Sequence, residues 1–402
     1  MLSWEEDLRE ISTQEIPQVR RWDEYGGICQ RAWVEIDLAA VAYNVQQLKL
    51  LLSPQTALMT VVKADGYGHG AFKVAQTALK AGATWLGVAT IPEGIELRDR
   101  GINAPILILG ATHTPEQVKA IAQWQLQPTI CTPKQALIFS EFLTTINQSL
   151  PVHVKLDTGM SRLGSPWQEA AEFVTLVKNL PNLELASIYS HLATADSPDF
   201  TVMKQQQQRF ELAISACGIG EKKEMAYPKL HLANSAAALA DRRLHYDMVR
   251  IGLATYGLYP APHLQSVIDL KPVMQVKAKV TQVKTIQAGT GVSYGHHFIA
   301  DREMLIAVVG IGYADGIPRN LSNNMQVLVR SKLVPQIGAI TMDQMMLDVT
   351  AIPDLEIGEI VTLLGKDGKI KISADDWATK LGTISWEILC SFKHRLPRVA
   401  IG

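Results

Sequence analysis

Residues 57–89 decide the fold, and they read ALMTVVKADGYGHGAFKVAQTALKAGATWLGVA. Two short apolar runs, ALMTVV (57–62) and TWLGVA (84–89), flank a stretch whose apolar spacing is helical. Parallel strands that are buried on both faces read as continuous apolar runs rather than as alternating ones. The stretch is therefore typical of a strand, a helix and a second parallel strand.

This unit repeats along the chain. Six more apolar runs follow, namely APILILG (104–110), LQPTI (126–130), VHVKLD (152–157), LELASIYS (183–190), KLHLAN (229–234) and HYDMVRIG (245–252). Helix-like stretches such as QALIFSEFLTTIN and EAAEFVTLVKNL lie between them. Eight alternating units predict an α/β fold with a (β/α)8 TIM-like barrel. The alternative, a doubly wound open sheet, favours a glycine-rich dinucleotide fingerprint after its first strand, and the sequence has none.

The pattern changes near residue 262. Short runs rich in valine and isoleucine follow, such as QVKAKVTQVKTI and MLIAVVGIGYADG, and they predict a mainly antiparallel β domain. The last stretch, SADDWATKLGTISWEILCSF, has a helical pattern with Ser373 as N-cap before Asp376. We therefore expect an N-terminal extension over 1–30, a barrel over 31–262 and a C-terminal β domain over 263–402.

Composition and charge exclude several partners. The 402 residues are 47% hydrophobic with a formal net charge of −1, so nothing favours nucleic acid or an anionic membrane. The N-terminus lacks the features of a secretory signal, and no apolar run reaches the roughly 18 residues of a membrane span. Cys29, Cys131, Cys217 and Cys390 form no CxxC pair, which argues against a zinc site. We expect a cytoplasmic protein that binds no metal.

Polar residues follow the ends of five predicted strands, and in a barrel enzyme those ends form the active site. They are Lys63, Lys155 with Asp157 and Arg162, His191, Asn234 with Ser235, and Arg250 with Gly252. A partly desolvated Lys63 would have a lowered pKa and a free amine that forms a Schiff base with an aldehyde. Judged alone, a lysine that ends a strand and reaches solvent is the commoner interpretation.

The last two barrel strands also favour an anion site. The hydroxyl of Ser235 and the backbone N–H groups around Gly252 and Leu253 would suit a phosphate, which barrels often bind after strands seven and eight. An N-cap serine and a packing glycine explain the same residues structurally. Arg250 would face a cofactor ring nitrogen or pair with a carboxylate, and His191 would stack on a ring or be a core histidine.

Taken together, these segments resemble the alanine racemase family. VVKADGYGHG is similar to the family's cofactor-lysine motif, and further motifs follow in the expected order, namely KLDTGMSRLG, YSHLATAD, ANSAA, VRIGLATYG, GVSYG, GIGYADG and TMDQ. The resemblance covers residues 31–400. It implies a barrel followed by a β domain, a small amino-acid substrate, pyridoxal 5'-phosphate as cofactor and a homodimer with shared active sites. It also implies that the product, D-alanine, supplies peptidoglycan synthesis.

The resemblance implies roles for individual residues. Lys63 would hold the cofactor and act as one base, and Tyr294 would act as the second base in the active site of the other subunit. The other implied cofactor contacts are Tyr67, His191, Asn234, Ser235, Arg250, Gly252, Leu253 and Tyr313, with Arg250 on the ring nitrogen. The implied contacts to the substrate carboxylate are Arg162 and, across the dimer, the backbone of Met342. Lys155 matches a lysine that is often carbamylated in the family. Asp196, Arg319 and Asp343 match a charged entryway.

Trp386 departs from the family pattern, and we group it with the entryway. It stands in TISWEIL where many members have TISYEIL, so it replaces a tyrosine close to the cofactor phosphate and the substrate. An indole N–H donates but cannot accept, and its ring is bulkier, so we expect a tighter pocket that favours alanine over serine.

Three alternatives stay open. They are racemisation of another small amino acid such as serine, a decarboxylase of related fold, and a non-catalytic pyridoxal-phosphate carrier. Arg250 argues against the decarboxylase, which pairs the ring nitrogen with a carboxylate. The second domain and Tyr294 argue against the carrier.

Overall fold

A computed structural model describes residues 31–219, 227–392 and 394–402. The predicted extension over 1–30, with Cys29, lies outside the described residues. The described chain forms two compact units. The larger unit contains Glu35–Gln275, 364–392 and Arg398–Gly402, and the smaller contains 31–34, Val276–Leu363 and His394–Pro397. These units are defined by contacts between residues and do not test the predicted domain boundaries. The boundaries at residues 31 and 262 therefore remain predictions.

The larger unit contains the predicted barrel. Its eight strands are Ala57–Val61, Trp85–Val88, Ile106–Ala111, Gln127–Ile130, Leu150–Asp157, Leu183–Tyr189, Lys229–His231 and Met248–Ile251. The first seven pair in parallel in this order, and the eighth pairs with the first. Between the seventh and eighth strands, the N–H of Arg250 donates to the carbonyl of Ala233 at 3.0 Å, which nearly closes the barrel. All eight predicted strands are therefore confirmed.

The helix Leu38–Leu51 precedes the first barrel strand, and further helices connect the barrel strands. They are Ala71–Lys80, Ile91–Asp99, Pro115–Gln123, Pro133–Thr145, Ala170–Asn179, Thr201–Ala216 and Ser235–Ala240. The helix after the fourth barrel strand begins with threonine at the N-cap and proline at the first helical position. Thr132 accepts from the N–H of Gln135, and Pro133 follows Thr132. Two more helices, Ala374–Leu381 and Ser385–Ser391, occupy the predicted C-terminal helical stretch. The predicted cap is confirmed, since Ser373 and Asp376 form a reciprocal capping box.

The smaller unit is built on antiparallel strands, as predicted. Its sheet contains, in spatial order, Ile360–Asp367, Gln326–Val329, Lys332–Ile337, Met345–Asp348, Met304–Val309 and Met274–Ile286, of which the first and last extend into residues of the larger unit. A separate hairpin pairs Gly291–Val292 with Phe298–Ile299. Side chains of Ile286, Val292, Ile306 and Met346 pack together in a hydrophobic core of the smaller unit. The remaining strands are Ala32–Asp37, Ser165–Pro166, Ile370–Ile372 and Arg398–Ile401.

Short 3-10 helices complete the described secondary structure. They are Trp167–Glu169, Arg242–Leu244, Leu253–Tyr256, Pro262–Leu264, Tyr294–His296, Tyr313–Asp315 and Arg319–Leu321. Within the described ranges, no helix combines the length and the apolar character that a membrane crossing requires.

Candidate active site

A cavity of about 540 Å³ opens in the larger unit where the barrel strands end. It brings together twelve of the residues predicted from sequence, namely Lys63, Tyr67, Lys155, Arg162, His191, Asp196, Asn234, Ser235, Arg250, Gly252, Leu253 and Trp386. The other predicted site residues, Tyr294, Tyr313, Arg319, Met342 and Asp343, belong to the smaller unit. No group of three or more potential metal-ligating side chains occurs in the part of the chain that the structure describes.

Lys63 follows the first barrel strand and begins an unusual turn. The five residues after it, 64–68, all have positive φ, with values of 53° at Ala64 and 54° at Tyr67. Non-glycine residues rarely adopt this left-handed conformation, so the surrounding structure must hold it. Glu93 accepts from the N–H of Ala64 at 2.7 Å, and Asp65 accepts from the N–H of Ala71 at 2.8 Å. The turn fixes the backbone from which the Lys63 side chain enters the cavity.

Two lysines in this cavity have lowered pKa values. Burial lowers the pKa of Lys63, and the nearby charge of Arg162 lowers it further. Burial and the charge of Arg250 lower the pKa of Lys155 to about 8. Each lysine therefore has a larger neutral fraction at a given pH than a lysine in water, and a neutral amine is a nucleophile and a base.

Arg250 is a buried arginine held on both terminal nitrogens. Its Nη1 donates to Nδ1 of His231 at 2.9 Å, and its Nη2 donates to the carbonyl of Ser190 at 2.8 Å and to Nδ1 of His191 at 3.1 Å. Burial and the charge of Arg250 hold the pKa of both histidines well below the usual range, so they accept as neutral rings. Burial lowers the pKa of Arg250 to about 10, which leaves it charged at neutral pH.

The remaining donor of Arg250 is Nε. It has no acceptor among the described residues, although Arg250 lines the cavity. A guanidinium donates and never accepts, so this N–H suits a ligand atom with a lone pair, such as an unprotonated ring nitrogen.

Another part of the cavity lining contains a cluster of hydrogen-bond donors and a glycine, Gly252, that has no side chain. The Oγ of Ser235 accepts from the N–H of Gly252 at 3.1 Å and from the N–H of Ala254 at 3.4 Å. A Cβ at Gly252 would lie 2.5 Å from the hydroxyl of Tyr67, so only glycine allows this approach. Asn234 supports the cluster, since its Oδ1 accepts from the N–H of Ala237 at 3.0 Å. Two hydroxyls and backbone N–H groups in one place suit a phosphate.

Trp386 and Cys390 reach the same cavity from the helix Ser385–Ser391. The sequence predicted a site role for Trp386 but none for Cys390. Burial raises the pKa of the Cys390 thiol, and the charge of nearby Lys63 offsets part of that rise. The sequence carries a weak signal for it, because Cys390 lies four residues after Trp386 and so on the same helix face.

Buried polar residues inside the barrel also escaped the sequence analysis. His153, Ser187, Tyr189 and His231 are each at most 1% exposed. Tyr189 stacks on His231 with ring centroids 4.6 Å apart, and Arg250 lies over Tyr189 at 5.1 Å. The available signal was the alternation of polar residues inside two strand runs, VHVKLD and KLHLAN.

Tyr294 of the smaller unit is 73% exposed and sits on a constrained turn. Ser293, Gly295 and His296 around it have φ of 63°, 74° and 46°. Gly291 makes room for the turn, since a Cβ there would lie 2.4 Å from the His296 ring. Tyr294 lines a second cavity, of about 920 Å³, within this unit.

Tyr313 and Met342 lie on adjoining turns of the smaller unit. The N–H of Ala314 donates to the carbonyl of Met342 at 3.0 Å, and both Tyr313 and Met342 are exposed. Asp343 pairs with Arg395 at 2.7 Å, while Arg319 begins the short helix Arg319–Leu321 and is exposed.

Comparisons with known proteins agree with this geometry. A family model described as the alanine racemase N-terminal domain matches residues 36–260, and one described as the alanine racemase C-terminal domain matches 273–400. The alanine racemase of a Nostoc species is 70% identical over 94% of this chain and 98% of its own, and that of a Synechocystis species is 62% identical over 93% and 100%.

Solved structures are similar too. That of alanine racemase from Streptomyces lavendulae has a TM-score of 0.85 at 36% identity, covering 93% of this chain and 97% of its own. That of the Bacillus anthracis enzyme with bound L-Ala-P has a TM-score of 0.85 at 34% identity, covering 93% and 95%.

Proposed function

This chain belongs to the alanine racemase family, and we propose that it interconverts L-alanine and D-alanine with Lys63 and Tyr294 as its two bases. One observation carries the proposal. A lysine of lowered pKa, an arginine with one unused N–H and a phosphate-suited donor cluster converge on one cavity. Racemases of this family depend on pyridoxal 5'-phosphate, and the cavity fits that group.

The fit rests on three contacts. Lys63 would hold the aldehyde carbon, Nε of Arg250 would donate to the ring nitrogen, and Tyr67, Ser235, Gly252 and Leu253 would hold the phosphate. Ser235 now accepts from the N–H of Gly252, and a phosphate oxygen is a stronger acceptor for that donor. When bound, pyridoxal phosphate acts as an electron sink that makes the α-proton of an amino acid acidic.

Two bases explain inversion at the α-carbon. Racemisation removes the α-proton on one face and returns one on the other, so a base must stand on each face. Lys63 serves one face, because its lowered pKa gives it a larger neutral, basic fraction than a lysine in water has. Tyr294 serves the other. We propose that it comes from a second subunit, which its exposure and fixed turn support.

Arg250 would favour proton transfer over other reactions. Its pKa of about 10 keeps the guanidinium charged at neutral pH, so it would donate to the ring nitrogen without giving up its proton. An unprotonated ring nitrogen is a weaker electron sink, which favours quick return of the proton over side reactions such as transamination.

Substrate contacts come from both units of the chain. We assign the substrate carboxylate to Arg162 and to the N–H of Met342 from the second subunit. Tyr313 of that subunit joins the phosphate contacts. The proposed entryway consists of Asp196, Arg319, Asp343 and Trp386. Lys155 lies in the same cavity, and as a carbamate it would place a negative charge near Arg162 and hold that arginine.

The wider role follows from the chemistry. We propose a cytoplasmic homodimer whose D-alanine supplies peptidoglycan synthesis. The alternatives are weaker. A carrier would not need the C-terminal domain, which the family model matches over 273–400. A racemase of another small amino acid such as serine is tested by Trp386 variants, described below.

Polarimetry tests the proposal. Purified protein loaded with pyridoxal 5'-phosphate should bring L-alanine and D-alanine to the same racemic end point, at rates well above those of the free cofactor. Protein that binds the cofactor and leaves the rotation of L-alanine unchanged would contradict it. Tyr294→Phe, which keeps the ring and removes the hydroxyl, is the matched control for the second base.

A further inference from the structure

A chain of hydrogen bonds runs through the barrel interior from Arg250 to Gln127. Nη1 of Arg250 lies 2.9 Å from Nδ1 of His231, whose Nε2 lies 2.8 Å from Oγ of Ser187. The same Oγ lies 2.5 Å from Nδ1 of His153, whose Nε2 lies 2.7 Å from Oε1 of Gln127. His153, Ser187 and His231 have no exposed surface, while Gln127 is half-buried at the start of its strand.

The chain has one possible proton direction. Arg250 can only donate, so Nδ1 of His231 must accept and its single proton must sit on Nε2. That N–H donates to Ser187. At the other end, Oε1 of Gln127 can only accept, so the proton of His153 must sit on Nε2 and its Nδ1 must accept from the hydroxyl of Ser187. Each donor therefore meets an acceptor from one end to the other.

The two histidines stay neutral, which this direction requires. Burial lowers the pKa of His153 to about 3, and burial with the charge of Arg250 holds that of His231 well below its usual range. Ring packing also fixes their places. His231 stacks on Tyr189 at 4.6 Å, and Trp85 meets His153 edge-on at 5.6 Å. With the rings fixed, the hydrogen bonds decide only where the protons sit.

We propose that Gln127, His153 and Ser187 are positioning residues that fix the tautomer of His231, and through it the placement of Arg250 against the cofactor ring nitrogen. Neither Gln127, His153 nor Ser187 lines the cavity, so they act through His231 and Arg250. The inference rests on the proposed function for the identity of the ligand that Arg250 faces. It adds that residues at the opposite end of the barrel, beginning with Gln127, control the orientation of Arg250 toward the ring nitrogen.

The first test removes the central hydroxyl. Ser187→Ala should raise the dissociation constant for pyridoxal 5'-phosphate about tenfold, as expected for a lost buried hydrogen bond. It should also shift the absorption maximum of the bound cofactor, and lower kcat for alanine with KM changed less than about twofold. Thr60→Val is the matched control. Thr60 is a buried barrel hydroxyl with no hydrogen-bond partner in the described structure, and this variant should match the wild type in all three readouts.

The second test changes the far end, where folding is less at risk because Gln127 is only half-buried. Gln127→Leu removes the acceptor and should shift the spectrum and the affinity in the same direction as Ser187→Ala. Gln127→Glu keeps an acceptor oxygen and should stay close to the wild type. This pair decides the matter if Ser187→Ala does not fold.

The proposal is overturned if Ser187→Ala or Gln127→Leu is indistinguishable from Thr60→Val in cofactor spectrum and affinity. It is equally overturned if Gln127→Glu shifts both as far as Gln127→Leu does. Failure of the proposed function looks different. In that case the wild type would bind the cofactor without racemising alanine, while the spectra of the variants would still report on the hydrogen-bond chain.

Discussion

At the scale of single residues, the cavity contains two lysines, and either amine could in principle form the Schiff base with the cofactor. Lys155 is 6% exposed, and its pKa of about 8 reflects burial and the charge of Arg250. Lys63 is half-buried, and its pKa is lowered by burial and by Arg162. Both pKa values are lowered, so the pKa alone does not assign their roles. Position does, since Lys63 begins the turn that carries Tyr67 toward Gly252.

We expect Lys155 to form a carbamate with carbon dioxide. Carbon dioxide adds only to a neutral amine, and with a pKa of about 8 rather than 10.5 the neutral fraction becomes large as the pH rises from 7 to 9. Carbon-13 NMR in labelled bicarbonate should give a carbamate resonance that grows over this range. Lys155→Arg keeps the charge but should lose the resonance, and its persistence in that variant would refute the assignment.

Trp386 should set the preference for alanine over serine. Trp386→Tyr makes the side chain smaller and adds an acceptor for the serine hydroxyl, so the ratio of kcat/KM for serine to that for alanine should rise severalfold. Racemisation assays with both amino acids measure it. Trp386→Phe, which removes bulk but adds no acceptor, separates the two causes. A wild type that already turns over serine as well as alanine would refute the prediction.

The sequence identified the site residues that follow the ends of strands, because the C-terminal ends of all barrel strands lie on one face of the barrel. It did not identify His153, Ser187 or His231, whose roles depend on contacts between strands far apart in the chain. A histidine inside an apolar run is more often a core residue, and only the three-dimensional pairing distinguishes the two cases.

At the scale of elements, the eight barrel strands were predictable, because each is a mainly apolar run of ordinary length. The left-handed turn over 64–68 was not, since alanine, aspartate and tyrosine do not favour positive φ by themselves. Long-range contacts impose it, such as that of Glu93 with the N–H of Ala64. The strand Ala32–Asp37 also escaped prediction, because AWVEID is a single short run before a helix.

Two glycines, one at the end of the left-handed turn over 64–68 and one just after it, allow a test of how tightly the turn packs. Gly70 has φ of 90° with open space around it, and Gly68 has φ of 81° with the carbonyl oxygen of Leu389 2.6 Å from an added Cβ. Gly70→Ala should cost about 1–2 kcal/mol from backbone strain alone. Gly68→Ala should cost about 1–3 kcal/mol more, because backbone must move. Free energies of unfolding from urea titrations compare them, and equal costs would refute the tight packing.

At the scale of the whole molecule, the proposed second base lies in a different compact unit from Lys63. Tyr294 is highly exposed, which fits a side chain that completes the site of another subunit. The family resemblance predicted this sharing, but residue patterns alone did not, since nothing in the chain's periodicity encodes contacts between copies.

Subunit complementation tests the sharing. Lys63→Ala and Tyr294→Phe should each be nearly inactive as homodimers. After mixing in equal amounts with full subunit exchange, half the dimers are hybrids with one intact site of two, so about a quarter of wild-type activity should return. Mixing Lys63→Ala with a Lys63→Ala/Tyr294→Phe double variant is the control and should recover nothing. No recovery in the first mixture after verified exchange would contradict shared sites.

The central claim is that Lys63, rather than Lys155, holds the cofactor. Borohydride reduction of the protein loaded with pyridoxal 5'-phosphate fixes the lysine–cofactor link as a stable amine, and peptide mapping by mass spectrometry then locates it. We predict a single labelled peptide, with the cofactor on Lys63 and Lys155 unmodified by it. A label on Lys155, or on any other lysine, would contradict the claim.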